Sequence, residues 1–198
     1  MAGSPDLSVL ERPAVEAAPL LLGATLRRGG VAVRHTEVEA YAGPLDPGSH
    51  AFRGRTPRTE VMFGPAGFLY CYFVYGMHVC ANVVTGPDGE AGAVLLRAGE
   101  VVGDDIGHPA RGPARLCRTL GITLEDNGTD LRSGPVTLQL GEPVPSRAVS
   151  TGPRVGLRAA PDTPWRFWLT GEPSVSAYRP AAARRTRGRG DSSRLGPD

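Results

Sequence analysis

The sequence predicts an α+β fold, a single mixed domain built on an antiparallel β-sheet with helices packed around it. Three observations carry that expectation. The chain has 198 residues, enough for one sizeable core and too few for two. Runs of strand-forming residues dominate, and two of them flank a glycine-containing turn in the pattern of a hairpin. One short helix is bounded by Gly112-Pro113 at its start and Gly121 at its end, with proline where a first helical turn tolerates it.

The elements follow in order along the chain. Residues 1–19 form an irregular head with a short helix between Pro5 and Pro19, and Leu20-Leu21-Leu22-Gly23 begins the domain proper, which spans 20–178. After a turn at Gly29-Gly30, residues 31–41 alternate as a strand that places Glu37, Glu39 and Tyr41 on one face. Residues 42–59 are broken by glycine and proline into a loop that carries His50, Arg53, Arg55 and Arg58. Residues 67–84 read as a hairpin turning near Met77, so that Tyr72 faces the neighbourhood of Asn82 while Tyr75, of opposite parity, lies at the tip. Strands are expected at 92–97, 135–140 and 165–169, and a helix at 113–120 with Arg111, Arg115 and Arg118 in or beside it. Residues 179–198 are arginine-rich without apolar periodicity, and are expected to be a disordered tail.

Composition excludes several kinds of chemistry. All 22 basic residues are arginine, and the formal net charge is only +2. With no lysine, no side chain can form a Schiff base, which leaves the α-amino group as the sole amine. The three cysteines are odd in number and lack metal-binding spacing, so neither a disulfide framework nor a zinc site is expected. His35, Glu39, His50 and His78 are irregularly spaced, and no metal or other cofactor is expected. No apolar run is long enough for a membrane span and the first residues do not resemble a signal peptide. A reduced, soluble, cytoplasmic protein is the expectation.

The most informative cluster is Glu39 and Tyr41 on one strand with Tyr72, His50 and Asn82 in reach of the same space. Together they would make a flat cavity with ring faces for walls and a few polar edges, a shape that fits a nucleobase. The same residues also fit an ordinary sheet core with one solvated glutamate. Spacing alone leaves both readings open.

Ordered motifs extend well beyond that cluster. Thr36-Glu37-Val38-Glu39-Ala40-Tyr41, His50, Arg55-Thr56-Pro57-Arg58, Met62-Phe63 and Tyr70-Cys71-Tyr72-Phe73-Val74-Tyr75-Gly76-Met77 follow one another. Asn82, Val94-Leu95-Leu96-Arg97-Ala98, Gly112-Pro113-Ala114-Arg115-Leu116-Cys117 and Arg154-Val155-Gly156 continue the series. In order and spacing, over about residues 20–178, the chain resembles the alkyladenine (3-methyladenine) DNA glycosylase family.

The resemblance implies a curved sheet with a protruding hairpin that inserts into DNA, and a role for each matching residue. Glu39 would be the general base that activates the attacking water, with Arg97 helping to hold that water. Tyr41, His50 and Tyr72 would sandwich a flipped base, and Asn82 would exclude the exocyclic amine of guanine. Tyr75 would fill the vacated stack, with Met77 beside it, and Arg55, Thr56 and Arg58 would contact the DNA. The implied partner is duplex DNA containing alkylated or deaminated purines, bound by a monomer that is nucleoid-associated when engaged. Without lysine, the expected reaction is monofunctional hydrolysis of the N-glycosidic bond. Two alternatives stay open: a non-catalytic damage-sensing DNA-binding protein on the same fold, and a nucleoside or RNA hydrolase.

Overall fold

The computed structural model describes residues 6–74, 76–103 and 109–182. Among them, eight strands and two α-helices form. The strands are β1 (Thr25–Arg28), β2 (Val31–Tyr41), β3 (Leu69–Val74), β4 (His78–Val84), β5 (Ala93–Val101), β6 (Val136–Gln139), β7 (Val149–Gly152) and β8 (Arg166–Leu169). The helices are α1 (Ala14–Ala17) and α2 (Pro113–Leu120).

Every strand pairing is antiparallel, as the alternating, turn-separated pattern requires. The order is β3-β4-β5-β2-β1-β6, with β8 joined to β2 and β7 to β8. Strand β2 is the spine. It pairs with β1 over its first residues, with β5 over most of its length, and with β8 at Glu37–Glu39. The β2–β5 ladder is irregular between His35 and Val38, where Thr36 and Arg97 have no opposite residue. One unpaired residue on each strand restores the register.

The β3–β4 pair closes at Val74 and His78. Gly76 has φ +68°, a left-handed conformation that L side chains avoid. Because the turn spans three residues, Tyr70 stands opposite Asn82 and Tyr72 opposite Cys80. Tyr72 is therefore the diagonal neighbour of Asn82, one step from a direct pairing. Tyr75 lies outside the described residues.

The two faces of the sheet have separate fates. Val38, Ala40, Ala81, Val83, Val94 and Leu96 point into the main apolar core, while the alternate positions turn toward the site described below. Helix α2 covers the core with Leu116, Cys117 and Leu120. Helices do not surround the sheet as the sequence suggested, because 27 glycines and 19 prolines leave few uninterrupted stretches for them. Short 3-10 turns fill much of that role.

The head, expected to be irregular, forms consecutive helical turns at Ser8–Glu11, Ala14–Ala17 and Ala18–Leu21. Its Leu7, Leu10, Ala14, Ala17, Ala18 and Leu21 are all buried in the core. Their spacing of three and four residues is that of a helical face. The tail from residue 183 onward lies outside the described residues. No helix among the described residues is long and apolar enough to cross a membrane.

Candidate active site

Register alone builds the floor of a cavity. Tyr70 pairs with Asn82, Asn82 with Leu95, and Leu95 with Glu39. This row crosses four strands, so its side chains rise from the same face of the sheet. Two residues along each strand, Tyr72, Cys80, Arg97 and Tyr41 extend the row. All eight line one cavity of about 310 Å3, joined by His50, Met62 and the Val155-Gly156 loop. The two readings left open by spacing are thereby resolved in favour of a cavity.

Glu39 is fully buried from solvent. Its Oε1 accepts the Val155 N–H at 2.7 Å and lies 3.5 Å from Arg97 Nη1, while its Oε2 accepts the Tyr41 hydroxyl at 2.9 Å. Burial raises its pKa above the ordinary value, against the opposing pull of Arg97, the Val155 amide and Tyr41. The result is a carboxylate held in place and opened to the cavity. It can accept a proton from water more readily than an exposed glutamate.

Glu37, two residues earlier, has a different fate. Its Oε1 accepts from Arg97 Nε at 3.0 Å, Arg166 Nε at 2.6 Å and the Ser176 hydroxyl at 3.0 Å. Its Oε2 accepts the Ser176 amide at 2.7 Å. Glu37 is therefore the anchor that orients Arg97 toward Glu39. Arg97 belongs to the irregular step of the β2–β5 ladder, where no opposite residue competes for its space.

The Val155 amide is positioned by its neighbour. Arg154 is 1% exposed and binds Asp46 with both ends of its fork, Nη1 to Oδ2 at 2.5 Å and Nη2 to Oδ1 at 2.8 Å. Nη1 also donates to the Ala40 carbonyl at 2.9 Å, between Glu39 and Tyr41. The guanidinium lies over the rings of Tyr41, at 4.7 Å, and Trp165, at 5.2 Å. Gly48 leaves room beside it: a Cβ there would displace the Leu157 side chain and approach Arg154 Nη2 to 2.8 Å.

The rings of His50 and Tyr72 meet edge to face at 4.5 Å, and Tyr70 stacks on Tyr72 at 5.6 Å. His50 Nε2 lies 3.2 Å from Arg58 Nη2, and Nδ1 lies 3.2 Å from the Tyr70 hydroxyl. A guanidinium can only donate, so Nε2 accepts and the neutral ring carries its proton on Nδ1. Desolvation of the ring and the Arg58 charge lower the His50 pKa to about 4, although the residue as a whole is exposed to solvent. Asn82 donates from Nδ2 to the Tyr70 carbonyl at 3.0 Å, which fixes the amide and leaves Oδ1 as an acceptor. Burial raises the Tyr41 and Tyr72 hydroxyls and pushes the Cys80 thiol up to about 11. These shifts favour the neutral forms of His50, Tyr41, Tyr72 and Cys80.

Comparison with known proteins agrees with this geometry. The family model described as methylpurine-DNA glycosylase matches residues 8–173. The chain belongs to that family. A relative from Nocardia farcinica is 55% identical over 182 residues, covering 82% of this chain and 86% of that protein. One from Streptomyces avermitilis is 46% identical over 94% of this chain and all of that protein, and one from Frankia casuarinae is 50% identical over 89% and 94%. All three carry the name "Putative 3-methyladenine DNA glycosylase". Membership makes the chain a glycosylase, the enzyme class the sequence motifs implied.

Of the remaining expected residues, Arg55, Thr56 and Met77 do not line the cavity, and Tyr75 lies outside the described residues. Arg55 is ion-paired to Glu60 at 2.8 Å and covers the Phe63 ring, and Thr56 shares hydrogen bonds with Thr59. Met77 is 70% exposed at the hairpin tip. Arg58 does reach the cavity wall, through His50 and over the Tyr72 ring at 5.6 Å. Sequence reasoning placed Tyr70, Arg154 and Val155 in matching motifs without giving them a role, and did not single out Asp46. No group of three His, Cys, Asp or Glu side chains among the described residues is placed to hold a metal.

Proposed function

We propose that the protein binds duplex DNA, takes a damaged purine out of the stack into the Glu39 cavity, and hydrolyses its N-glycosidic bond. Glu39 serves as general base for water, and Arg97, held by Glu37, keeps that water site in register. Breaking the bond builds positive charge on the sugar, which an ionised carboxylate stabilises. The observation that carries this reading is the buried Glu39, gripped on both oxygens yet lining the same cavity as Tyr41, His50 and Tyr72.

The rings hold the base by stacking, worth about 1 to 3 kcal/mol per base. Asn82 selects against the exocyclic amine of guanine, Tyr75 and Met77 plug the gap in the duplex, and Arg55, Thr56 and Arg58 contact the strand. His50 acts as a neutral wall rather than an acid, because Arg58 occupies Nε2. An alkylated purine that already carries positive charge needs no proton to leave, so such bases suit the cavity well, with deaminated purines the more demanding class. No feature of the described residues favours a non-catalytic damage sensor, for which a buried carboxylate facing the cavity would have no use. Free nucleosides offer no stack to plug, and so are expected to be poor substrates.

Single-turnover base release from a duplex carrying an alkylated purine tests this reading. Glu39→Gln keeps the shape and removes the base, so the rate should fall by about 10²-fold or more. An undiminished rate would remove Glu39 from the reaction.

A further inference from the structure

The chain after β8 is stitched to β2 at every second residue. Glu172 accepts from Arg34 at 3.1 Å, the Ser174 hydroxyl bonds the Thr36 hydroxyl at 2.8 Å, and Ser176 reaches Glu37 through its amide, at 2.7 Å, and its hydroxyl, at 3.0 Å. These contacts cover the irregular step of the β2–β5 ladder, where Thr36 and Arg97 have no opposite residue. A step of this kind interrupts the ladder and re-aims the side chains beside it, so contacts from outside the ladder decide where those side chains settle.

Every polar atom of Ser176 is engaged. Beyond its two bonds to Glu37, its carbonyl accepts from Arg166 Nη2 at 2.9 Å and its hydroxyl oxygen accepts from Arg97 Nη2 at 3.3 Å. A guanidinium can only donate, so the single hydroxyl proton goes to Glu37 and a lone pair faces Arg97. Glu37 does not need that proton to stay in place. Without it, Arg97 Nε, Arg166 Nε and the Ser176 amide would still hold the carboxylate. What the hydroxyl alone supplies, among the described residues, is a hydrogen bond to Arg97 Nη2.

Arg97 is thus met at each nitrogen by a different residue: Nε by Glu37 at 3.0 Å, Nη2 by Ser176 at 3.3 Å and Nη1 by Glu39 at 3.5 Å. The guanidinium is a flat, rigid fork. Held at Nε alone it can still turn about that one contact, whereas a second hold at Nη2 fixes its plane and aims Nη1 at Glu39. The Glu39 contact is longer than an ordinary hydrogen bond, so Glu39 is not the group that does the aiming.

We propose that Ser176 is a positioning residue for base release, its hydroxyl setting the plane of the Arg97 guanidinium and through it the water site at Glu39. The inference rests on the proposed function and adds to it a residue that does not line the Glu39 cavity. The return of the chain after β8 thereby becomes part of the machinery. It is the element that converts an irregular step between two strands into one fixed direction for Arg97.

The test measures single-turnover base release at saturating protein, affinity for a duplex carrying a tetrahydrofuran abasic-site analogue, and urea unfolding. Ser176→Ala should slow release by about tenfold, the effect of a small misplacement beside the reacting groups, with affinity for the abasic analogue unchanged. Ser176→Thr returns the hydroxyl and should recover most of the rate. Ser174→Ala removes a buried hydroxyl from the same segment without touching Arg97, so it should lower the urea midpoint and leave the rate as it was. In an Arg97→Gln background there is no guanidinium to aim, and Ser176→Ala should cost nothing further. Should Ser176→Ala fail to fold, Ser176→Cys keeps the volume with a much weaker donor and acceptor and takes its place.

A full rate in Ser176→Ala beside a slow Arg97→Gln would overturn the proposal and leave the Glu39 reading intact. So would equal slowing by Ser174→Ala, which would mark a general loosening of the segment, or a further loss when Ser176→Ala is added to Arg97→Gln. A full rate in Glu39→Gln would instead sink the reading on which the proposal rests.

Discussion

Replacing Arg154 with methionine should destabilise the fold and slow base release together. The guanidinium is 1% exposed and its partner Asp46 is fully buried, so the substitution leaves a carboxylate in the interior with no cation. Removing one member of a buried ion pair typically costs about 3 to 5 kcal/mol, and loss of the bond to the Ala40 carbonyl adds about 1 kcal/mol. For a chain of this size each kcal/mol lowers Tm by about 2 to 4 °C, so a fall on the order of 10 °C is expected, read from thermal and urea unfolding. Activity should suffer by a separate route. Arg154 backs the Tyr41 ring and sets the loop whose Val155 amide holds Glu39, and small misplacements of reacting groups can cost on the order of 10²-fold. Combining Arg154→Met with Asp46→Asn distinguishes the two routes. The neutral amide removes the orphaned charge and should recover most of the stability, while single-turnover release stays slow. An unfolding midpoint equal to the unaltered protein's would refute the stability argument, and a double variant with full activity would refute the positioning one.

Three further outcomes are expected. His35 is fully buried with neither ring nitrogen hydrogen-bonded, and burial lowers its pKa from 6.5 to about 4. The unfolded chain therefore takes up this proton first as pH falls. Stability from this group is full above about pH 6.5 and declines to about pH 4 by about 3 kcal/mol. Replacing His35 by leucine should flatten that decline in urea unfolding, and an unchanged slope would show that another group causes it. Because burial raises Glu39 above its ordinary 4.5, the acid limb of the single-turnover rate should lie above that value and vanish in Glu39→Gln; a rate level down to pH 4.5 would contradict the assignment. With no lysine in the chain, borohydride should trap no covalent protein–DNA adduct during base release, and a trapped adduct would exclude simple hydrolysis.

Much of the cavity was legible because β-sheets repeat every two residues. Glu39 and Tyr41 share a face by parity, and the glycine-marked hairpin brings Tyr72 and Asn82 back toward them. The pairing of Tyr70 with Asn82 depends on turn length, which composition does not specify, and spacing therefore gave Tyr70 no place in the cluster. The loop carrying His50 and Arg58 has no periodicity, so their 3.2 Å contact had no signature in spacing. Strands β1 and β7 were missed for a related reason. Thr25-Leu26-Arg27-Arg28 and Val149-Ser150-Thr151-Gly152 are short and largely polar, and become strands because β2, β6 and β8 offer edges to them. The buried residues of the head, by contrast, show helical spacing that the intervening prolines obscured.

The pair Glu37 and Glu39 shows how neighbouring carboxylates acquire different work. Both rise from the same face of β2, both are fully buried, and both touch Arg97. Glu37 accepts four hydrogen bonds, from two arginines and both polar groups of Ser176, so its lone pairs are spent on the protein. Glu39 accepts one from an amide and one from a tyrosine, with Arg97 farther off at 3.5 Å, and keeps acceptor capacity toward the cavity. The distinction comes from what each meets across the sheet. The chain after β8 folds back over Glu37 and delivers Ser176, whereas Glu39 meets the Val155 amide, the Tyr41 hydroxyl and the cavity. A carboxylate saturated by the fold makes a fixed post for Arg97, and one left partly unsatisfied can take a proton from water. On that reasoning, substituting Glu37 should free Arg97 and disturb Glu39 without removing the base itself. Glu37→Gln should thus retain a pH-dependent rate at reduced amplitude, whereas Glu39→Gln should lose the pH dependence altogether, and the two profiles separate the post from the base.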